Sequence, residues 1–197
     1  KIFVAMISNS FTGRVAVVTG SNKGIGYFIA LQLGLSGLFQ HVLLGCRDAD
    51  RAASAVQSIQ AQLPSGVTVS SEPFTLGDPE SHKRFAANVE EKFGKADVLV
   101  NNAAFAFKGS DPTPFDQQTK PTLDVNYRAT VDFTERMLPL LKKGQDPRLV
   151  SVASMSGRLQ QLSPGLQAKF ASQKLTIPEL NALVDNFESD VHDGSYR

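Results

Sequence analysis

The chain has 197 residues, 42% of them apolar, which is room for one globular core. Twenty Lys and Arg against nineteen Asp and Glu leave a net charge of +1 with no basic run longer than a pair, so neither a nucleic acid nor an anionic membrane surface is expected as a partner. The lone Cys46 excludes an intrachain disulfide or cysteine-rich zinc site and favours a reducing compartment, and no stretch approaches the ~18 apolar residues of a membrane span, so a soluble protein is expected.

Residues 1–12, opening "KIFVAM", read as an N-terminal extension. They are either the trimmed end of a targeting segment or the first residues of a longer product, so the cytoplasm is expected, with import into an organelle as the alternative. Val15–Thr19, "VAVVT", is a β-branched run without alternation, the mark of a strand buried on both faces in a parallel sheet.

"TGSNKGIG" follows, between that strand and a helix expected over Ile25–Leu35. In this setting Gly20 permits a tight turn and Gly24 lets backbone approach a pyrophosphate. Gly26 allows the helix to pack close to the strand, with the helix N-terminus facing phosphates. The second strand is expected at Val42–Leu44, with Cys46 as a small apolar residue at its end, and the second helix at Arg51–Leu63 with Asp50 as its N-cap. A third strand is expected at Val67–Val69. The helix over Glu80–Phe93 is opened by Asp78 and Pro79 and closed by Gly94.

A fourth strand, Val98–Val100, precedes "NNAAFAF", a long helical stretch over Thr119–Lys143, and a fifth strand, Leu149–Val152. Phe105, Phe107 and Phe115 read as core beside a strand end, with a cleft wall as the alternative. Residues 155–197 read as a helical insertion, with a Thr176 to Glu179 capping box and a helical repeat through Leu180, Leu183, Val184 and Phe187. The alternation, with the glycine loop after its first strand, predicts a single dinucleotide-binding domain over 1–197. Its fold class is α/β: a Rossmann-like doubly wound parallel sheet, incomplete at the C-terminus, carrying the helical insertion after the fifth strand. Ligands of such sheets sit at the carboxyl ends of the strands. His41, His82 and His192 share no ligand spacing, so no metal is expected.

The spacing G-x-x-x-G-x-G after a threonine resembles the short-chain dehydrogenase/reductase family, and "SNKGIG" resembles its NADPH-dependent carbonyl reductase branch. "DVLVNNAAFAFKGSDPTPF", "LDVNY" and "LVSVASMSG" extend the resemblance from Val15 to about Phe187. It implies that Gly20, Ser21, Asn22, Lys23, Gly24, Ile25, Gly26 and Asn102 bind the cofactor. Arg47 stands where an acidic residue would bind a free ribose 2′-hydroxyl; as a cation, with Lys23, it favours the phosphate of NADP(H). The resemblance also implies that Ser154 polarises a substrate oxygen and that Asn126 orders a proton path.

The family's tyrosine, with a lysine four residues later, has no match among Tyr27, Tyr127 and Tyr196. By resemblance that pair falls roughly ten residues past Arg197, and Tyr196 takes no catalytic role. Other departures from the pattern are Ala104 for a glycine, Thr75 for an aspartate at the adenine, and Ser151 and Ala153 in the serine strand. The expected function is NADPH-dependent reduction of a ketone, aldehyde or quinone to the alcohol, by a chain that is part of a longer enzyme. The alternative is a catalytically inactive, truncated dinucleotide-binding protein serving as a structural or assembly subunit. Stability favours the first, because ending after the fifth strand leaves a buried-type strand as an apolar edge. A monomer is expected, or a partner chain covering that edge.

Overall fold

In a computed structural model, residues 12–196 are described. The N-terminal extension lies outside them except for its last residue. Strands β1 (Val15–Thr19), β2 (His41–Cys46), β3 (Thr68–Pro73), β4 (Val98–Asn101) and β5 (Arg148–Ser151) form one sheet in the order β3-β2-β1-β4-β5, every pairing parallel. The order reverses between β1 and β4. A crevice forms at the carboxyl ends of two strands whose connections leave in opposite directions, so β1 and β4 are where this sheet presents a binding site.

Successive residues of a strand point to opposite faces, and the sheet has a core on each. Ala16, Val18, Val42 and Leu44 pack with Ala30, Ala52, Ala55 and Ile59 of α1 (Gly24–Leu35) and α2 (Ala49–Gln60). Val15, Val17, Leu43 and Leu99 pack instead with Phe85, Val89, Phe133 and Met137 of α3 (Pro79–Phe93) and α5 (Thr130–Lys142). This is the doubly wound arrangement, and burial on both faces explains why β1 and β2 read as continuous apolar runs.

Element ends follow local chemistry. Asp78 caps α3 through Glu80 N–H, Pro79 takes the first turn, and Gly94 closes it at φ 70°. The N-cap of α2 is Asp48 rather than Asp50: in extended backbone, the Asp48 carboxylate accepts from Arg51 N–H at 3.0 Å, and Asp50 falls inside the first turn. The edge strand β3 ends in Pro73, which an edge tolerates. The Gln60 amide occupies part of its free side, donating to Val67 O and accepting from Val69 N–H.

The long helical stretch is not one helix. It is divided into α4 (Phe115–Leu123), a π segment (Asp124–Ala129) and α5. A π segment takes an extra residue into a turn, which an apolar periodicity does not reveal. At the opposite edge from β3, Leu149 and Val150 of β5 are 47% and 45% exposed, an apolar edge as expected from the sequence.

The chain groups into two compact units, one holding the sheet with Val125–Ser151, the other holding Phe105–Asp124 and the residues from Val152 onward. In the second, 3₁₀ turns at Met155–Gly157 and Leu159–Gln161 precede α6 (Pro164–Phe170) and α7 (Ile177–Asp193). The predicted box is present at the start of α7: Thr176 Oγ1 accepts from Glu179 N–H, and the Glu179 carboxylate accepts from Thr176 N–H. That backbone bond, with the Thr176 hydroxyl, holds the Glu179 carboxyl below its ordinary range. Phe105 and Phe115 are 38% and 53% exposed, so the core reading of these rings fails. The segment Asn102–Pro114 has no strand or helix to carry Phe105 inward, Phe115 is the first residue of α4, and Phe105 packs edge-to-face on Phe107 at 4.9 Å. Among the described residues, no helix is long and apolar enough to cross a membrane.

Candidate functional site

The carboxyl ends of β1 and β4 are tied together by side chains. Thr19 Oγ1 accepts from the N–H groups of Asn102 and Ala103, both at 3.0 Å, and donates to Val100 O at 3.3 Å. The Asn102 amide donates to Thr19 O at 2.9 Å and Gly20 O at 3.1 Å. Asn102 therefore builds the turn itself, leaving its own carbonyl oxygen outside these bonds. Thr19 was legible only as the residue before the first glycine; its role as a clamp was not.

Each glycine of the loop meets a different demand. Gly20 has φ +65° and donates its N–H to Gly45 O at 2.7 Å; a Cβ on it would lie 2.9 Å from Ala103 Cα. Gly24 has φ +58° and open space around its missing side chain. At Gly26 a Cβ would meet Asn102 Nδ2 at 2.4 Å and Gly20 O at 2.6 Å. The close approach of α1 to the turn needs glycine there and nowhere else in that helix's first turn.

α1 starts without a side-chain cap. Lys23 occupies the N-cap in extended backbone, makes no capping bond, and no acidic residue follows in the first turn. The first N–H groups of a helix have no partners inside it, and their dipole favours an anion. Lys23 and Arg47 are exposed, and among the described residues neither pairs with a carboxylate. Asp48, next to Arg47, is already engaged with Arg51 at 3.3 Å. Backbone donors and two cations thus converge in chain position on the end of β1 and β2, chemistry suited to phosphate oxygens.

Ser21 is fully buried and donates to Val18 O at 2.8 Å, so its side chain belongs to the fold. Burial beside it pushes the Cys46 thiol up from its ordinary value, and Cys46 is the small apolar strand-end residue expected. Asn22 is half-buried, and Ile25 is 66% exposed on the first turn of α1. Asp78 is taken up in capping α3.

Asn126 lies on the π segment with an exposed side chain, in the unit that holds the sheet. Ser154 lies in the other unit and caps the 3₁₀ turn Met155–Gly157: its Oγ accepts from Ser156 N–H at 3.0 Å. That bond uses an oxygen lone pair and leaves the hydroxyl proton to donate; among the described residues it has no acceptor. Among the described residues, no group of three or more His, Cys, Asp or Glu could hold a metal ion.

One cluster had no signal in the sequence. His82, read as an isolated histidine, is fully buried and bonds Asp132, which in turn holds Arg136. His82 and Asp132 are 50 residues apart on two helices, a spacing that carries no pattern.

Residues 14–178 match the family described as short chain dehydrogenase. Carbonyl reductase (NADPH) 1 of Homo sapiens is 40% identical over 187 residues, covering 93% of this chain and 65% of that protein. The same enzyme of Macaca fascicularis is 39% identical over equal shares. The chain thus spans 65% of the length of these curated relatives. Among solved structures, menthone neomenthol reductase from Mentha piperita superposes with a TM-score of 0.80 at 28% identity, covering 93% of this chain and 76% of that one.

Proposed function

We propose, from the premise that this chain belongs to the short-chain dehydrogenase/reductase family and its carbonyl reductase branch, that it binds NADP(H) and serves reduction of a small ketone, aldehyde or quinone to the alcohol. The observation that carries the reading is the joint at Gly26. Asn102 and Gly20 fill the space a side chain would need there, so the uncapped start of α1 is held against the end of β1. A helix start left uncapped, with Lys23 at the N-cap, keeps its first N–H groups for an anion. A dinucleotide pyrophosphate fits that donor set, and the relatives named for NADPH support the phosphorylated form.

Arg47 and Lys23 take the ribose phosphate in this reading, a planar guanidinium matching phosphate in charge and geometry. When bound, the nicotinamide supplies the hydride. Ser154 donates its proton toward the carbonyl oxygen, where negative charge develops as the carbonyl is reduced. Asn126 supports the delivery of a proton to that oxygen. Tyr27 and Tyr127 are followed four residues later by Leu31 and Val131, so neither supplies the family's tyrosine and lysine pair.

Two measurements test this. Titration of the purified chain with NADPH and with NADH, followed by nicotinamide fluorescence, is expected to give NADPH binding tighter by roughly tenfold. Equal affinities, or no binding of either, overturn the cofactor assignment. NADPH consumption with a quinone then tests the reaction: Ser154→Ala is expected to lower the rate roughly 10²–10³-fold with NADPH affinity unchanged. An unchanged rate removes Ser154 from its role.

A further inference from the structure

His82 sits in the first turn of α3, wholly inaccessible to solvent. Its Nδ1 lies 2.6 Å from Asp132 Oδ2 on α5. The Arg136 guanidinium also bonds this carboxylate, through Nε and Nη2 at 2.9 to 3.1 Å. Those bonds, Arg136 first, hold the Asp132 carboxyl below its ordinary range. An ionised carboxylate only accepts, so Nδ1 carries the proton and donates it. Nε2, on the other side of the ring, is buried and has no hydrogen-bond partner among the described residues. Around it stand Phe74, stacked at 5.4 Å and 22°, and Phe133 at 5.5 Å.

Packing alone does not call for this residue. A phenylalanine or leucine would fill the same sleeve without stranding a polar atom, and a stranded polar atom destabilises a fold. What histidine adds is one directional, charge-assisted bond from α3 to α5. Its surroundings say what that bond aligns. α5 continues upstream into the π segment that carries Val125 and Asn126. Phe74, under the His82 ring, leads into Thr75, whose N–H donates to Ser81 Oγ at 2.9 Å. Gly77, two residues on, has φ +96° and faces Val125, whose Cγ2 would stand 3.6 Å from a Cβ built there. His82 thus touches both the approach to the loop Thr75–Gly77 and the helix whose upstream end meets that loop.

We propose that His82 is a positioning residue, which through Asp132 sets the placement of the π segment, and with it Asn126, against the Thr75–Gly77 loop. The functional weight of that placement rests on the role proposed above for Asn126.

The test is a ¹H–¹⁵N spectrum of the full chain, with the side-chain amide pair of Asn126 identified by its loss in Asn126→Asp. His82→Phe keeps the ring and removes the bond; it is expected to shift the Asn126 pair and the Gly77 backbone amide while Gly20 and Asn102 stay in place. His82→Asn, whose Nδ2 can donate from near the Nδ1 position, is expected to return both signals toward their original positions. Asp132→Asn, which weakens the same bond from its other end, is expected to shift them as His82→Phe does and serves if that variant fails to fold. Unmoved Asn126 and Gly77 signals in the folded variants, or equal shifts for His82→Phe and His82→Asn, overturn the proposal. NADPH titration of the unaltered chain is independent: no binding there defeats the carbonyl reductase reading and leaves the outcome for His82 standing.

Discussion

The side-chain amide of Asn102 donates to the carbonyl oxygens of Thr19 and Gly20 at once, at 2.9 and 3.1 Å, so a residue at the end of β4 closes the turn at the end of β1. Replacing Asn102 by Ala leaves both carbonyls short of a donor. The expected cost is about 1–3 kcal/mol of folding stability. Asn102→Asp is expected to cost more, because a carboxylate oxygen would face two carbonyl oxygens. Urea unfolding of the three proteins checks the order, and equal midpoints would sink it.

Gly26 and Gly24 are expected to fail in different ways. Gly26→Ala puts a methyl against Asn102 Nδ2 and Gly20 O, forcing backbone apart, at about 1–3 kcal/mol. Gly24→Ala meets no atom within 4 Å and only suffers from its positive φ, at about 1–2 kcal/mol. The discriminating readout is the Asn102 side-chain amide signal, which Gly26→Ala should move and Gly24→Ala should not.

Arg47→Asp replaces an exposed cation with an anion beside the proposed ribose phosphate. NADPH preference over NADH is expected to fall by about tenfold, the weight of one charged hydrogen bond. In the unaltered chain that preference should also weaken with added salt, since Arg47 is exposed and screened. A preference indifferent to both changes would place the phosphate elsewhere.

His41 gives stability a pH dependence. Burial first, then the nearby Lys92, lower its pKa from 6.5 to about 4. Its ring nitrogens bond Thr68 Oγ1 at 2.7 Å and Ser70 Oγ at 2.8 Å. Between those two pH values the unfolded chain binds a proton that the folded chain does not. The contribution is therefore complete above pH 6.5, declines as pH falls toward 4, and is gone below that, for a change of about 3 kcal/mol. Urea midpoints from pH 7 to pH 4 should decline less steeply in His41→Asn. Parallel declines would assign the effect to other groups.

Much of this architecture was legible along the chain. β1 matched its expected span because a strand buried on both faces is apolar at every position, and α3 ended at Phe93 as expected and began one residue early, at Pro79, because Asp78, Pro79 and Gly94 act within one turn of backbone. The site was legible where it is local: Gly20, Gly24 and Gly26 lie within seven residues of one another. The N-cap of α2 was misplaced because Asp48 and Asp50 are chemically identical candidates two residues apart, and only backbone geometry chooses between them. The exposed rings of Phe105 and Phe115 were misread because hydrophobicity reports a preference for burial and not whether a loop, or the first residue of a helix, places the ring inward.

The sequence by itself determined the strand and helix alternation and the glycine loop with Lys23 inside it, because each depends on neighbours a few residues away. Tertiary structure alone decided that Asn102 closes the Gly20 turn from more than 80 residues off, that Gly26 must stay bare against it, and that His82 donates to Asp132 with its other nitrogen stranded. Those relations depend on which strands and helices become neighbours, and a linear pattern of residue types does not carry the direction of a hydrogen bond between them.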